Sequence, residues 1–219
     1  MLTLYGVYRS RASRPLWLLA EIGLPFRHVP VIQAYRLPDP TAPDAPFNTA
    51  SSEFLAVNPQ GQIPAMEDDG LVLTESLAIT QHIARKYGGP LGPADLNEAA
   101  LTDQWALFAA TGIEGPALEI LYTQADGLDD TPEGAAKIAD CAEKLARPLA
   151  RLEGFLSSQD WLVGNRFTVA DIMVAECLRY AQGLKPLMEA HPQATAWLAR
   201  CQSRPAFRAM WESRMAEPA

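Results

Sequence analysis

Residues 58–76 read NPQGQIPAMEDDGLVLTES, and this stretch decides the fold. Two short apolar runs, IPAM and LVLT, are separated by residues 67–70, which end in the pair Asp69 and Gly70. An Asp-Gly pair between β-prone runs marks a tight hairpin, because its central residues must take positive φ cheaply. Beyond LVLT, Glu75 and Ser76 open an amphipathic run. Leu77, Ile79, Ile83 and Ala84 recur on one side of it, which predicts a helix ending at Tyr87.

The ends of the stretch carry chemistry. Ile63 and Pro64 stand where the first strand begins. A cis proline there would present the N–H and C=O of Ile63 for two hydrogen bonds to a peptide ligand. At the helix start, unpaired N–H groups favour a carboxylate, Ser76 adds a hydroxyl donor, and Glu75 offers a counter-charge to an amine. A site that pairs with a peptide backbone and also holds an amino acid's amine and carboxylate suits a γ-glutamyl peptide. The same residues would also serve an ordinary turn and helix start.

Working outward, LTLY at 2–5 predicts a buried strand. PLWLLAEIG has helical spacing at Leu16, Leu19 and Ile22, with Pro15 tolerable in the first turn and Gly23 as a stop. FRHVPVI at 26–32 predicts a second strand, with Pro30 marking an edge or irregularity. Strand, helix, strand implies a parallel pair with a crossover. Residues 33–52 carry Pro38, Pro40, Pro43 and Pro46 without periodicity, a loop long enough to be functional or mobile. Ser51 or Ser52 is expected to cap a short helix over EFLAV. GGPLGPADLN at 88–97 holds the domain boundary. After it the period is helical, over residues 96–124, 132–157, 169–182, 192–201 and 205–215. The expected class is α/β plus all-α: a βαβ-ββα domain over 1–87, a linker over 88–92 and an all-helical domain over 93–219.

Composition narrows the chemistry. The 219 residues carry a formal net charge of -8, and the arginines are scattered, which argues against a nucleic-acid partner. Any anion site must therefore be built locally. No apolar run approaches the roughly 18 residues of a membrane span, and the N-terminus lacks signal-peptide features, so no membrane and a cytoplasmic location are expected. Cys141, Cys177 and Cys201 form no CxxC pair and read as reduced, packed thiols. His28, His82 and His191 share no spacing with other ligands, so no metal site is expected. There is no GxSxG elbow for a hydrolase.

The order LYG, LWLLAEIGLPF, NPQGQIPAM, LTESLAI, WLVGNRFTVADI and, at residues 192–207, PxxxxWLxxxxxRPAF resembles the cytosolic, bacterial-type glutathione transferases essentially from end to end. The resemblance implies a thioredoxin-like domain followed by an all-helical one, a symmetric homodimer, and glutathione as co-substrate with a small, largely apolar electrophile as partner. It implies that Ile63 supplies the backbone pair, that Pro64 is cis, and that Glu75 and Ser76 bind the γ-glutamyl end. The motif TVAD at 168–171 is similar to a buried folding motif of the family, so it is assigned to stability.

Several hydroxyls compete to activate the thiol. An ungapped match through Arg14 and LWLLA places Ser10 on the serine of the serine-type classes. Tyr5 falls on the tyrosine of the tyrosine-type classes if the match is shifted by one residue. Ser13, read as a helix cap, and a backbone N–H are further alternatives. A donor to the thiolate lowers the thiol pKa, as does a helix N-terminus. Residues 1–87 contain no cysteine, so mixed-disulfide chemistry is not expected there. Arg9, Arg11 and Arg14 surround Ser10 as a local positive field or a solvated turn, and the shifted match puts Arg11 on a glutathione-contacting arginine. Gln62 stands where the family often has lysine, and Gln62 or Arg36 is the candidate for the glycine carboxylate. In the first long helix, Trp105, Phe108 and Tyr122, with Thr111 and Ile113, lie where the family builds its electrophile pocket. Glutathione-dependent peroxidase or lyase chemistry, or a binding protein without turnover, are the rival functions.

Overall fold

The computed structural model describes residues 1–217. The strands are β1 (Thr3–Tyr5), β2 (Arg27–Val29), β3 (Ala65–Asp68) and β4 (Leu71–Thr74). The helices are α1 (Ser13–Ile22), α2 (Ser52–Val57), α3 (Ser76–Tyr87), α4 (Leu96–Phe108), α5 (Gly115–Ala125), α6 (Pro132–Leu156), α7 (Val169–Leu178), α8 (Lys185–Glu189), α9 (Pro192–Gln202) and α10 (Pro205–Ala216). Two compact units form: Met1–Gly92 with the segment from Pro205 onward, and Pro93–Arg204.

In the first unit the sheet order is β2-β1-β3-β4. β1 and β2 are parallel, and the other two pairs are antiparallel. This is the expected βαβ-ββα frame. The hairpin forms at Asp69 and Gly70, with φ of 50° and 85°. Helix α1 buries Leu16, Trp17, Leu18 and Leu19 and stops at Gly23, which is left-handed (φ 64°) and donates its N–H to the Leu19 carbonyl. In α3, Thr80 takes a buried position and Leu77 does not. The threonine satisfies its hydroxyl by donating to the Ser76 carbonyl at 2.6 Å.

The Pro-rich stretch is tied down rather than open. A 3₁₀ turn forms at Ala34–Arg36. Asn48, 2 % exposed, donates to the carbonyls of Pro40 (3.0 Å) and Pro46 (2.9 Å) and accepts from the Ala50 N–H (2.8 Å). Ser51 occupies the N-cap position of α2, but its hydroxyl accepts from the Asn48 N–H at 3.0 Å instead of capping the helix.

Asp68 locks the hairpin to α3. Its buried carboxylate lies 2.8 Å from His82 Nε2 and accepts from Lys86 Nζ and the Tyr87 hydroxyl, both at 2.8 Å. Burial alone would raise its pKa, yet these bonds, Lys86 foremost, hold it down to about 2. The folded value lies below the unfolded value of 3.8, so this stabilisation is fully present above that pH and is lost as pH falls through about 2. The expected size is about 2 kcal/mol. Tm measured from pH 7 down to 2 should fall less steeply for Asp68→Asn than for the wild type, and equal slopes would refute this account.

In the second unit, α4 and α5 are joined through a π-helical segment, Ala109–Glu114. The segment is a widened turn inserted between the two helices. A Cβ on Gly112 would lie 3.7 Å from Pro148 of α6. Along α6 the buried stripe is Cys141, Leu145, Leu149, Leu152 and Leu156, and Thr131 caps its start by accepting from the Gly134 N–H. All ten residues of α7 are buried. Arg166 grips Glu98 with both terminal nitrogens (2.8 and 2.6 Å) and holds that carboxyl down to about 2. Helix α8 was not expected, since five residues show no usable period.

The second unit runs from Pro93 to Arg204, and α10 belongs with the first. The reason is packing: Phe207 of α10 sits edge-on to Trp17 of α1, with ring centroids 4.9 Å apart, so α10 joins the first unit. Among the described residues, no helix is long and apolar enough to cross a membrane.

Candidate active site

Register places the site. Tyr5 pairs with Ala65, and Ala65 pairs with Thr74. The residues after Tyr5, before Ala65 and after Thr74 thus emerge at one end of the sheet. They are Gly6 with the turn to α1, the cis Ile63-Pro64 peptide, and Glu75 with Ser76 at the start of α3.

Gly6 makes the close approach possible. Its φ is +143°, and a Cβ there would lie 3.0 Å from the Ala12 Cβ and 3.5 Å from the Ile63 Cβ. Its N–H donates to the Val29 carbonyl (3.0 Å), and its carbonyl lies 2.7 Å from His28 Nε2. Gly6→Ala is expected to cost about 2 kcal/mol from strain and crowding. Thermal melts would check this, and an unchanged Tm would refute the packing argument.

The three candidate hydroxyls occupy different surroundings. Ser10 is half-buried in the turn. Its Oγ donates to the Val7 carbonyl at 2.7 Å and accepts from the Ala12 N–H at 3.0 Å. It must rotate off Val7 to donate elsewhere. Tyr5 packs against the cluster of Val31, Phe54 and Ala65, its ring centroid 6.2 Å from that of Phe54. Ser13 is fully buried as the first residue of α1, and the N-cap position belongs to Ala12. The expected cap role thus does not fall to Ser13, because the chain already turns at Ser10.

Ile63 also rests on the Val31–Phe54–Ala65 cluster, which anchors its backbone. Glu75 is exposed and has φ 66° and ψ 109°, a conformation costly for a non-glycine residue. Ser76 is buried, and its Oγ accepts from Arg14 Nη1 at 2.8 Å, which turns the hydroxyl proton away from Arg14. Arg14 is 1 % exposed, so it belongs to the interior and not to a solvated turn. Arg11 and Gln62 are exposed. Arg36 is exposed as well and donates to the Arg9 carbonyl at 3.3 Å, which brings residues 33–36 beside the Ser10 turn.

In the helical unit, Trp105 is buried edge-on to Phe108 and Phe155, at 5.3 and 5.1 Å, under the Arg151 guanidinium. Phe108 is half-buried, Thr111 is exposed, Ile113 is buried and Tyr122 is 53 % exposed. The cysteines all lie in this unit and are buried. Burial pushes the Cys201 thiol well above its ordinary pKa and raises that of Cys141.

Sequence reasoning missed the interior position of Arg14 and the contacts of α10 with the turn. Arg214 of α10 donates to the Tyr8 carbonyl at 2.6 Å, and just past the helix Glu217 accepts from the Tyr8 and Arg9 N–H groups, both at 2.8 Å. The position of Arg14 three residues before Trp17 carried no signal of burial, and nothing local links residues 8 and 217.

Comparison with known proteins agrees with this frame. Residues 1–85 match the family model "Glutathione S-transferase, N-terminal domain", and residues 115–205 match "Glutathione S-transferase, C-terminal domain". The chain is 34 % identical to glutathione S-transferase 3 of Zea mays, over 94 % of this chain and 91 % of that one. Glutathione transferase F7 of Populus trichocarpa superposes with a TM-score of 0.80 at 31 % identity, covering 98 % of this chain and 99 % of its own. A theta class glutathione S-transferase of Xanthomonas axonopodis pv. citri, solved with glutathione bound, gives a TM-score of 0.73 at 27 % identity and covers 95 % of each chain. The chain belongs to the glutathione S-transferase family, whose co-substrate is glutathione. Plant proteins stand prominently among these relatives, so the finer bacterial type is not carried by them.

Proposed function

We propose that this glutathione transferase conjugates the thiolate of glutathione to small, largely apolar electrophiles, with Ser10 as the thiolate's hydrogen-bond donor. The observation that supports this reading is the gathering of the Ser10 turn, cis Ile63-Pro64, and Glu75 with Ser76 at one end of the sheet. In this reading the Ile63 backbone pairs with the cysteinyl residue of glutathione, Ser76 donates to the γ-glutamyl carboxylate, and Glu75 receives its amine. Arg11, Arg36 or Gln62 meets the glycine carboxylate. Phe108 and Tyr122 contact the electrophile, supported by Trp105. Most of the acceleration comes from ionising the thiol and holding it against its partner. A symmetric homodimer and a cytoplasmic location complete the reading by family resemblance.

The test is to incubate the protein with glutathione and a panel of small apolar electrophiles and to identify products by mass. Only conjugation leaves a thioether, whereas peroxide reduction yields glutathione disulfide and an alcohol. Saturable glutathione binding with no product of either kind would sink the enzymatic reading in favour of a binding role.

Glu75 gives a second check. Glu75→Gly relieves the backbone cost at φ 66°, so stability should rise by about 1 kcal/mol, a few degrees in Tm. The same change removes the charge that meets the amine and should weaken glutathione binding about 10- to 100-fold. Tighter or equal binding, measured by calorimetry, would refute the role given to Glu75.

A further inference from the structure

We infer that Glu217, together with Arg214 of α10, is a positioning pair that sets the Ser10 turn for thiol activation. Both terminal oxygens of Glu217 are committed to consecutive main-chain amides: Oε1 accepts from Tyr8 N–H and Oε2 from Arg9 N–H, each at 2.8 Å. Arg214 Nη1 donates to the Tyr8 carbonyl at 2.6 Å, and Arg9 Nε donates back to the Arg214 carbonyl at 3.1 Å. On the other side, Gln33 Nε2 and Arg36 Nη2 donate to the Arg9 carbonyl at 3.1 and 3.3 Å. Every main-chain polar group of Tyr8 and Arg9 is therefore held by a side chain from another part of the unit.

Residues 7–11 lie outside regular secondary structure, so no helix or strand ladder fixes them. Charge-assisted bonds to a carboxylate and a guanidinium supply that constraint. The next residue is Ser10, whose hydroxyl is oriented by the Val7 carbonyl and the Ala12 N–H. Holding Tyr8 and Arg9 thus holds the frame in which Ser10 rotates toward a thiolate. Glu217 also occupies the amides of Tyr8 and Arg9, which denies them to the thiolate and leaves donation to the hydroxyl.

The inference rests on the reading of Ser10 as the thiolate donor, and charge sign separates positioning from electrostatics. Removing an anion near the site would, by the loss of Coulomb repulsion alone, make a thiolate easier to form and lower the thiol pKa. Losing the positioning does the opposite. The charged or titratable groups around the turn are Tyr8, Arg9, Arg11, Arg14, His28, Arg36, Arg214 and Glu217, and of these only Glu217 is altered in the test.

The experiment follows the thiolate absorbance of bound glutathione against pH for full-length wild type, Glu217→Ala, Glu217→Gln, Ser10→Ala and Ser10→Ala with Glu217→Ala. For Glu217→Ala the bound thiol pKa should rise by about one unit, with kcat about fivefold lower at pH 6.5. KM for glutathione should stay within about threefold, because Ile63, Glu75 and Ser76 are untouched. Glu217→Gln keeps one acceptor oxygen and should fall between wild type and alanine, which also provides a variant close to native if the alanine protein folds poorly. In the Ser10→Ala background, Glu217→Ala should add no further rise. A fall in thiol pKa, an unchanged value, or an equal rise without Ser10 would each overturn the positioning role. If Ser10→Ala alone leaves the thiol pKa at the wild-type value, the reading of Ser10 fails first and the role of Glu217 falls with it.

Discussion

Replacing Ser10 with alanine is expected to raise the pKa of bound glutathione's thiol by about two units, toward the roughly 8.5 of an ordinary thiol. In the proposed role of Ser10 the hydroxyl stabilises the charged form and not the neutral one, so its loss would shift the equilibrium by about 2.7 kcal/mol. The consequence for rate depends on pH. A thiol with a pKa near 6.5 is about half ionised at pH 6.5, whereas one near 8.5 is about 1 % ionised, so conjugation should fall roughly 50-fold there. The deficit should shrink as pH rises, and at about pH 9 the variant should come within a fewfold of wild type. Tyr5→Phe should leave the pH profile in place, because the Tyr5 ring packs against Phe54 and the sheet core. The pH dependence of kcat/KM for both variants checks this. If Ser10→Ala is untouched while Tyr5→Phe abolishes conjugation, the assignment of the donor is wrong.

Asp171→Ala is expected to have the largest effect on stability. The side chain is fully buried at the start of α7 and accepts four hydrogen bonds. Leu162 N–H (3.1 Å) and Trp197 Nε1 (2.9 Å) donate to one oxygen, and Thr168 N–H (2.9 Å) and Thr168 Oγ1 (3.3 Å) donate to the other. An ordinary cap is worth about 1 kcal/mol, the value the TVAD pattern alone suggests. Alanine here also leaves buried donors from three residues without an acceptor, at about 1–3 kcal/mol each, so the total is about 5 kcal/mol. That is a large share of a typical folding free energy and corresponds to about 10–20 °C in Tm. Asparagine is no rescue, because either orientation turns its NH₂ against donors. A loss under about 3 °C by calorimetry would refute this account.

The sign of the Asp171 titration differs from that of Asp68. Burial pushes its carboxyl up to about 6, against the hydrogen bonds from Trp197, Thr168 and Leu162 that favour the charged form. Its folded value exceeds the unfolded 3.8, so its pH-dependent contribution is present below that pH and is lost as pH rises through about 6.

Legibility tracked the range of the interactions involved. The Asp69-Gly70 hairpin, the stop at Gly23 and the buried stripe of α6 are written in windows of a few residues, because each expresses a local dihedral or a helical period. The Pro-rich loop was harder. Its proline content foretold irregularity, but its order comes from Asn48 gathering carbonyls two and eight residues away. Ser51 sits at the expected cap position and spends its hydroxyl on Asn48. A propensity names residues that are able to cap, and the nearest unsatisfied donor decides whether one does.

The site divides in the same way. The sequence by itself determined the family resemblance, the hairpin that carries Ile63-Pro64, and the helix that starts at Ser76, since residue type and spacing suffice for each. Only the tertiary structure decided that Tyr5, Ala65 and Thr74 stand in register, so that three separated stretches meet at one end of the sheet. It also decided that Arg14 is an interior partner of Ser76, that α10 packs on α1, and that Glu217 reaches the amides of Tyr8 and Arg9 across 209 and 208 residues. The physical reason is that a backbone dihedral or helical period depends on neighbours along the chain. A hydrogen bond to an irregular turn depends on which distant group packing brings within 3 Å, and no local window encodes that arrival.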